Sequence, residues 1–264
     1  MEPRYPETDG FQISNSSLET FLRCHNLHWL RQTIGRRVVT VPMAIGSAVA
    51  KAAMFDNMGK RGTHSPWSLP SLVDIAVNKY EEEVYNYEVQ NAARFDIENS
   101  VDDVSNATIR YLQDISPQIK EPLLFEEAVL ADLGDGLHLV GTPDCVEPGL
   151  VRDLKTGQPW DQRRVDRSRQ FTAYDILYEA KYGKSPERIA VDSLSRPKKG
   201  GRLWGAKTIW SSRCERDRVA FVETARRARK AIEAGSDLPA PEGAWWCSES
   251  HCEMWNVCEV RPGA

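Results

Sequence analysis

"GTPDCVEPGLVRDLKTG", residues 141–157, is the stretch on which the fold turns. Two short strand-like runs flank Pro148-Gly149, a pattern that predicts a β-hairpin. A two-residue loop at Pro148-Gly149 puts Asp144 directly opposite Asp153, and a four-residue loop from Glu147 to Leu150 keeps the same register. Cross-strand partners have Cβ atoms roughly 4.5–5.5 Å apart, and residues two apart in a strand share a face. Lys155 therefore projects beside Asp153, and one patch holds two carboxylates and an ammonium. At ~4 Å and an effective dielectric near 20 the two acids repel by about 4 kcal/mol. One lysine does not cancel that without a further cation. The conflict resolves through a raised carboxylate pKa or a bound divalent metal.

Working outward, the preceding turn Gly134-Asp135-Gly136 brings Glu126 or Glu127 opposite Asp144, depending on loop length. Three oxygen ligands from three adjacent strands suit Mg²⁺ or Mn²⁺. The competing reading is a solvated hairpin with surface acids, since a second acid-x-Lys occurs at Glu179-Ala180-Lys181. The runs "LLFEEAVLADL", "GLHLVGTPDCVE" and "LVRDLKTG" predict a three-stranded antiparallel meander. A helix is expected through "SRQFTAYDILYEAKYG", ended by Gly183, then a strand pair, "RIAVDSLS" and "RLWGAKTIWSS", around Lys198-Lys199-Gly200-Gly201. A basic helix, "ERDRVAFVETARRARKAIEAG", leads to a cysteine-rich tail. Upstream, Ser16-x-x-Glu19 reads as a capping box opening a helix that carries Cys24. A second helix starts at Pro42 and is broken by "GKRGTHSP", and residues 70–115 read as mainly helical. These elements predict an α/β fold, a mixed sheet with an antiparallel meander flanked by helices. The expected organisation is one domain over 1–264: a helical part at 12–120, a core sheet and helix at 121–212, and a basic helix and tail at 213–264.

The 264 residues are 41% hydrophobic and 27% charged, ordinary for a globular chain. No apolar run approaches the roughly 20 residues that span a bilayer, and "MEPRYPETDG" lacks the pattern of a secretion signal. The expected location is the cytoplasm of a bacterial or phage-infected cell, with no membrane contact. A net charge of −4 means that any nucleic-acid contact must be local. "RRVDRSR" at 163–169 and "RPKKGGR" at 196–202 could provide it through Arg163, Arg164, Arg167, Lys198 and Lys199; the alternative for each stretch is a solvated face. Of six cysteines, Cys145 faces away from Asp144 and is expected in the core, and Cys214 reads as a free thiol. Cys247-x4-Cys252-x5-Cys258 lacks the tight paired spacing of a zinc finger.

Taken in order, these residues resemble the PD-(D/E)xK nuclease superfamily, and within it the RecB-like branch of CRISPR-associated and phage exonucleases with an iron–sulfur cluster. "GTPD" supplies Asp144, and "DLKTG" supplies Asp153 and Lys155. "RQFTAYDIL" is similar to a Gln-x-x-x-Tyr helix motif through Gln170 and Tyr174, with Arg167 expected on the same face. "ISNSSLETFLRC" and "WWCSESHCEMWNVC" resemble the segments that hold the cluster cysteines. The resemblance implies a restriction-endonuclease-like core and hydrolysis of DNA phosphodiesters in recombination, repair or phage DNA processing. Asp144, Asp153 and Glu126 (or Glu127) would hold one or two Mg²⁺ or Mn²⁺ ions, and Lys155 would orient or help deprotonate the attacking water. Gln170 and Tyr174 would meet the phosphate backbone or brace the sheet. Cys24, Cys247, Cys252 and Cys258 would bind a [4Fe-4S] cluster that ties the N-terminal helix to the tail. A structural Zn²⁺ on the same cysteines is the rival, with His25, His28 and His251 as nearby alternative ligands. Implied partners are DNA and a helicase or single-strand annealing protein. One position departs from the pattern: Ala50 stands where many RecB-like nucleases carry a metal-ligand histidine, and His64 is the nearest replacement. That departure leaves the metal count open, and it favours an alternative in which the chain is a weakly active or inactive DNA-binding subunit.

Overall fold

The computed structural model describes residues 8–35, 38–89, 94–196 and 204–262. Strand β1 (Phe11–Ser14) runs straight into helix α1 (Asn15–Arg23), because the Ser14 hydroxyl accepts the Ser17 N–H and caps the helix. The helix thus starts ahead of the expected Ser16/Glu19 capping box. Ser16 Oγ lies 2.9 Å from Ser14 Oγ, and Glu19 is drawn to Arg169 at 2.8 Å. Cys24 is not within a helix as expected: it is extended, ends α1, and caps α2 (His25–Ile34) by accepting the Leu27 N–H on Sγ at 3.3 Å. After β2 (Val38–Val39), Thr40 caps α3 (Val41–Lys60), with Pro42 in the first turn, where its missing N–H costs nothing. Helices α4 (Leu69–Asn86) and α5 (Arg94–Arg110) complete a helical layer, and the short β3 (Glu88–Val89) pairs in parallel with β2. No helix among the described residues is long and apolar enough to cross a membrane.

The strands form two main sheets. Strands β4 (Val129–Asp132) and β5 (Leu137–Gly141) make an antiparallel hairpin, with β1 parallel to β5 on the far side. Strands β6 (Cys145–Glu147), β7 (Leu150–Gly157), β8 (Arg188–Ser195) and β9 (Gly205–Ser211) form the second sheet in that order. The β7–β8 pair is parallel and the other two pairs are antiparallel. The expected continuous meander is therefore divided: "GLHLVGTPDCVE" makes two strands in different sheets, parted at residues 142–144. Pro143 lies in that gap, where it has no N–H to give to a ladder.

The hairpin register is the expected one. Cys145 faces Arg152, Val146 faces Val151, and Glu147 faces Leu150, across a turn whose Gly149 has φ 74°. Leu124 also bridges Val146, which continues the β4–β5 register past the gap and laces the sheets together. Between that bridge and β4 the chain distorts, with Glu126 at φ 50°. Local departures of this kind re-aim side chains beside functional sites.

Helix α6 (Gln162–Arg167) is followed by α7 (Arg169–Tyr182) and, after β9, by α8 (Glu215–Glu233). Gly183 ends α7 in the left-handed conformation, φ 71°, as expected. Arg167 does not share a helix with Gln170, because Ser168 closes α6 and opens α7.

The β6–β9 sheet separates two cores. One is built from Ile13, Phe21, Leu139, Phe171, Leu177 and Val191 under α1, α7 and α8. The other joins α3, α4 and α5 through Ala48, Ala52, Tyr80, Ala107 and Cys145, which is buried as expected. Strand β7 is covered on both sides, so its charged side chains need partners. Arg152, 4% exposed, donates to Glu147 at 2.6 Å and to both oxygens of Asp192 at 3.1 and 3.2 Å. Removing one member of such a set leaves buried uncompensated charge, at a cost of about 3–5 kcal/mol. Arg152→Ala is expected to lower unfolding stability by that order in urea denaturation. A loss below about 1 kcal/mol would mean that water reaches these acids.

Candidate functional site

Strand β7 presents alternate residues to its two faces. Asp153 is fully buried, and the Lys155 ammonium lies 3.0 Å from its Oδ1 and 2.8 Å from its Oδ2. Gln170 Nε2, from the first turn of α7, donates to the same Oδ1 at 3.1 Å and to the Tyr174 hydroxyl at 3.0 Å. The Tyr174 ring is buried in the core, and its hydroxyl donates to the Thr142 carbonyl at 3.4 Å. The four-residue spacing of Gln170 and Tyr174 thus serves a relay that pins Asp153 and the strand gap together. Asp144, inside the gap, accepts the Leu154 N–H on Oδ2 at 2.7 Å, which fixes it against β7. Glu126 joins the group by donating its backbone N–H to the Pro143 carbonyl at 3.2 Å, whereas the Glu127 carboxylate is taken by Lys181 at 2.5 Å.

The electrostatics follow from burial. Burial, then the charge of Asp153, and more weakly Glu126, push the Asp144 carboxyl well above the ordinary aspartate value, against the pull of Lys155 and the Leu154 amide. Burial also raises Asp153, with Lys155 opposing. Glu126 keeps a solvent-exposed edge, yet burial of its carboxyl and the Asp153 charge raise it, with Lys51 opposing. Burial pulls the Lys155 ammonium down, but Asp153 and Asp144 outweigh that and hold it above the ordinary lysine value. Lys155 is therefore a cation. Asp153 Oδ2 is buried and faces the Lys155 ammonium at 2.8 Å without an aligned hydrogen bond among the described residues, which leaves a lone pair for a second cation. Among the described residues, no group of three or more His, Cys, Asp and Glu side chains has an arrangement that could hold a metal ion. Asp144 and Asp153 are accordingly a two-carboxylate centre with Glu126 as neighbour.

Helix α3 passes close behind this centre. A Cβ at Gly46 would stand 2.8 Å from Thr156 Oγ1, so the glycine lets the helix approach the end of β7. One turn on, Ala50 lines a small cavity with Glu126, Asp144, Cys145 and Leu154. His64 does not replace it, lying exposed in the turn after α3 and not lining the cavity. Asn57 lines the same cavity, 2% exposed, and its side-chain oxygen finds no donor among the described residues. Sequence reasoning missed Asn57, although it lies on the Ala50 face of α3 at helical spacing.

Arg163, Arg164 and Arg167 are exposed on α6 and line an open groove with Trp160 and Gln170, which connects them to the centre. Trp160 was not singled out from the sequence, although it follows "DLKTG" by only three residues. Lys198 and Lys199 lie outside the described residues. In the tail, Cys24, Cys247, Cys252 and Cys258 line one pocket with Leu27, Met254 and others. His25, His28 and His251 do not line it; their ring nitrogens instead face the Ser236, Ser17 and Ser248 hydroxyls. The tail docks on α1 and α2 through further contacts. Asn26 Nδ2 donates to Cys258 Sγ at 3.2 Å, Arg31 pairs with Glu253, and Arg23 packs on Trp245 and Trp246. Cys214 is exposed and free of any disulfide, as expected.

A half-buried aspartate and a fully buried one, with a lysine two residues after the second, on a mixed sheet between helical layers, define the centre of a nuclease. The chain belongs to the PD-(D/E)XK nuclease superfamily, whose family profile matches residues 12–259. No curated protein gives a significant match. Among solved structures the chain is similar to a Eubacterium rectale protein described as a candidate exonuclease. The identity is 12%, 96% of this chain and 90% of that one are covered, and the TM-score is 0.61, a likeness of fold. An alkaline exonuclease (LHK-Exo) from Laribacter hongkongensis is similar at 12% identity, over 78% of this chain and 92% of that one, with a TM-score of 0.33.

The raised Asp144 carboxyl makes a signed prediction. A folded aspartic acid that holds its proton above the unfolded value near 3.8 gives stability that is lost as pH rises through the folded pKa. Asp144→Asn removes that titration and keeps an acceptor for Leu154. With divalent ions chelated, the variant is expected to gain stability relative to wild type as pH rises from about 4 towards 8. Thermal midpoints across that range check it, and a flat difference would mean that Asp144 titrates as a solvated acid.

Proposed function

We propose that this chain, acting over 1–264 as one nuclease domain, is a Mg²⁺- or Mn²⁺-dependent DNA exonuclease of recombination, repair or phage DNA processing. The observation that carries the reading is the pairing of the half-buried Asp144 with the buried Asp153, with Lys155 held on Asp153. The donor set fits a hard divalent cation in kind. Asp153 Oδ2 faces Lys155 and keeps a lone pair for a second cation, Asp153 and Glu126 raise Asp144, and Mg²⁺ commonly takes one or two carboxylates plus water and phosphate. Asp144 and Asp153, with Glu126 beside them, would hold the ion, which when bound supplies Lewis acidity and a more acidic water. Lys155, kept protonated by its acids, opposes the charge that builds on the phosphate in the transition state rather than taking a proton. Gln170 fixes Asp153 Oδ1, and Tyr174 fixes Gln170. The exonuclease direction is supported by what the E. rectale neighbour is described as.

We further propose that Cys24, Cys247, Cys252 and Cys258 hold a [4Fe-4S] cluster; the support is that all four line one largely apolar pocket, and binding would have to draw them into a ligand arrangement that they do not have here. Zn²⁺ on the same cysteines is the rival. A helicase or annealing partner follows from the same reading. A second reading, a DNA-binding subunit with little catalysis, is favoured by one observation: the methyl group of Ala50 lines the cavity beside Glu126 and Asp144.

Purified protein is expected to digest linear DNA with Mg²⁺ or Mn²⁺. Asp153→Ala and Lys155→Ala should each cost at least about 100-fold. DNA labelled separately at each end gives the direction of digestion. Activity surviving in both variants would sink the site assignment, and binding without cleavage in wild type would decide for the second reading. Anaerobic purification is expected to give a brown protein with about four irons per chain, bleached by Cys247→Ser. A colourless protein with about one zinc would refute the cluster.

A further inference from the structure

The groove beside the centre has a feature that a solvated basic face does not need. Trp160 is half-buried, with its ring set edge-on against Phe171 at 5.8 Å and its backbone N–H donating to Ser193 Oγ at 3.3 Å. The core thus holds the indole in place. On its open side the Arg164 guanidinium stacks 3.8 Å from the ring centroid, and the Lys155 ammonium lies 6.0 Å away. Two like charges thus flank one ring, and Arg164 works against the Lys155 charge. Among the described residues, Arg163, Arg164 and Arg167 form no ion pair with any acid, so their charge is available to an anion that enters the groove. A rigid aromatic face beside the unpaired Arg164 and near the Asp153-bound ammonium of the reaction centre matches a nucleotide: the ring takes the base and the guanidinium takes the phosphate.

We propose that Trp160 and Arg164 form a seat for an unpaired nucleotide next to the Asp153–Lys155 centre, so that the nuclease selects single-stranded DNA over duplex. The proposal rests on the DNA nuclease reading above and adds the strand state. A base inside a duplex already stacks on both of its faces, whereas along a single strand every base can offer a face to the indole. Arg164 covers the ring in the free protein as a cation on a π face. Its side chain is exposed, so it can turn to an incoming phosphate.

The test is binding, separated from cleavage by the non-hydrolysing Asp153→Asn background. Fluorescence anisotropy compares a labelled oligothymidylate with a duplex of equal length. The parent is expected to prefer the single strand. Adding Trp160→Ala should weaken single-strand binding about 10-fold, equivalent to about 1.4 kcal/mol, with duplex binding changed less than about two-fold. Trp160→Phe should restore most of the loss. Arg164→Ala, at an exposed side chain that supports no core, should weaken single-strand binding about five-fold even if Trp160→Ala fails to fold. Equal binding of both DNAs by the parent overturns the proposal. An equal loss on both, or no loss in any variant, does the same. If wild type does not cleave DNA but the Trp160-dependent preference is present, the seat stands and the nuclease reading falls. If wild type cleaves both strand states equally, the nuclease reading stands and the seat falls.

Discussion

The constraint on which the rest depends is the burial of a carboxylate–ammonium pair in a strand covered on both faces. Strand β7 is central in its sheet and lies between two apolar cores. An isolated Asp153 there would take up a proton or unfold the sheet. Lys155 on the same face, two residues on, opposes that proton uptake, and Gln170 from α7 fixes one of its oxygens. Arg152 on the other face is held by Glu147 and Asp192, so the strand carries charge on both sides with a counter-charge for each. Asp153 and Arg152 thus face opposite sides of one strand, while Asp144 and Glu126 line the cavity that Arg152 and Asp192 also line.

This arrangement explains the gap at residues 142–144. A continuous ladder through Asp144 would commit that segment to regular pairing. Pro143 interrupts the ladder, and the Leu124–Val146 bridge then resumes it in the same register. Within the gap, Asp144 takes a backbone donor from β7, Glu126 gives its N–H to Pro143, and Thr142 receives the Tyr174 hydroxyl. The strand pairing lost at the gap is made up by contacts from the residues that form the site.

The parts legible in the sequence were those fixed by local chemistry. Turn residues set the hairpin register, and Gly183 set the end of α7. Alternation placed Asp153 and Lys155 on one face, and the order of motifs identified the family. What was not legible depends on tertiary choice. Ser14 caps α1 in place of Ser16 because Glu19, the other half of the expected box, is drawn to Arg169 across the fold. The split of the meander could be read only weakly from Pro143, since a strand can tolerate proline at an edge. Nothing local marks Arg152 as a network residue, because its partner Asp192 lies 40 positions away in the chain. Trp160 had no motif of its own, and its place is set by Phe171 and Ser193.

The absence of a histidine at position 50 is best understood from the packing of α3. Gly46 brings the helix so near to Thr156 that a Cβ there would crowd its hydroxyl. The next residue on that face, Ala50, lines the cavity with Glu126 and Asp144 but has no polar atom to offer. On this side the centre depends on acids from the strand gap and from β7, and α3 contributes proximity without a ligand. Strand geometry, not the helix, therefore sets the distance between Asp144 and Asp153. The hydrogen bond from the Leu154 amide is a direct link that fixes this distance, because it ties the aspartate in the gap to the strand that carries the other.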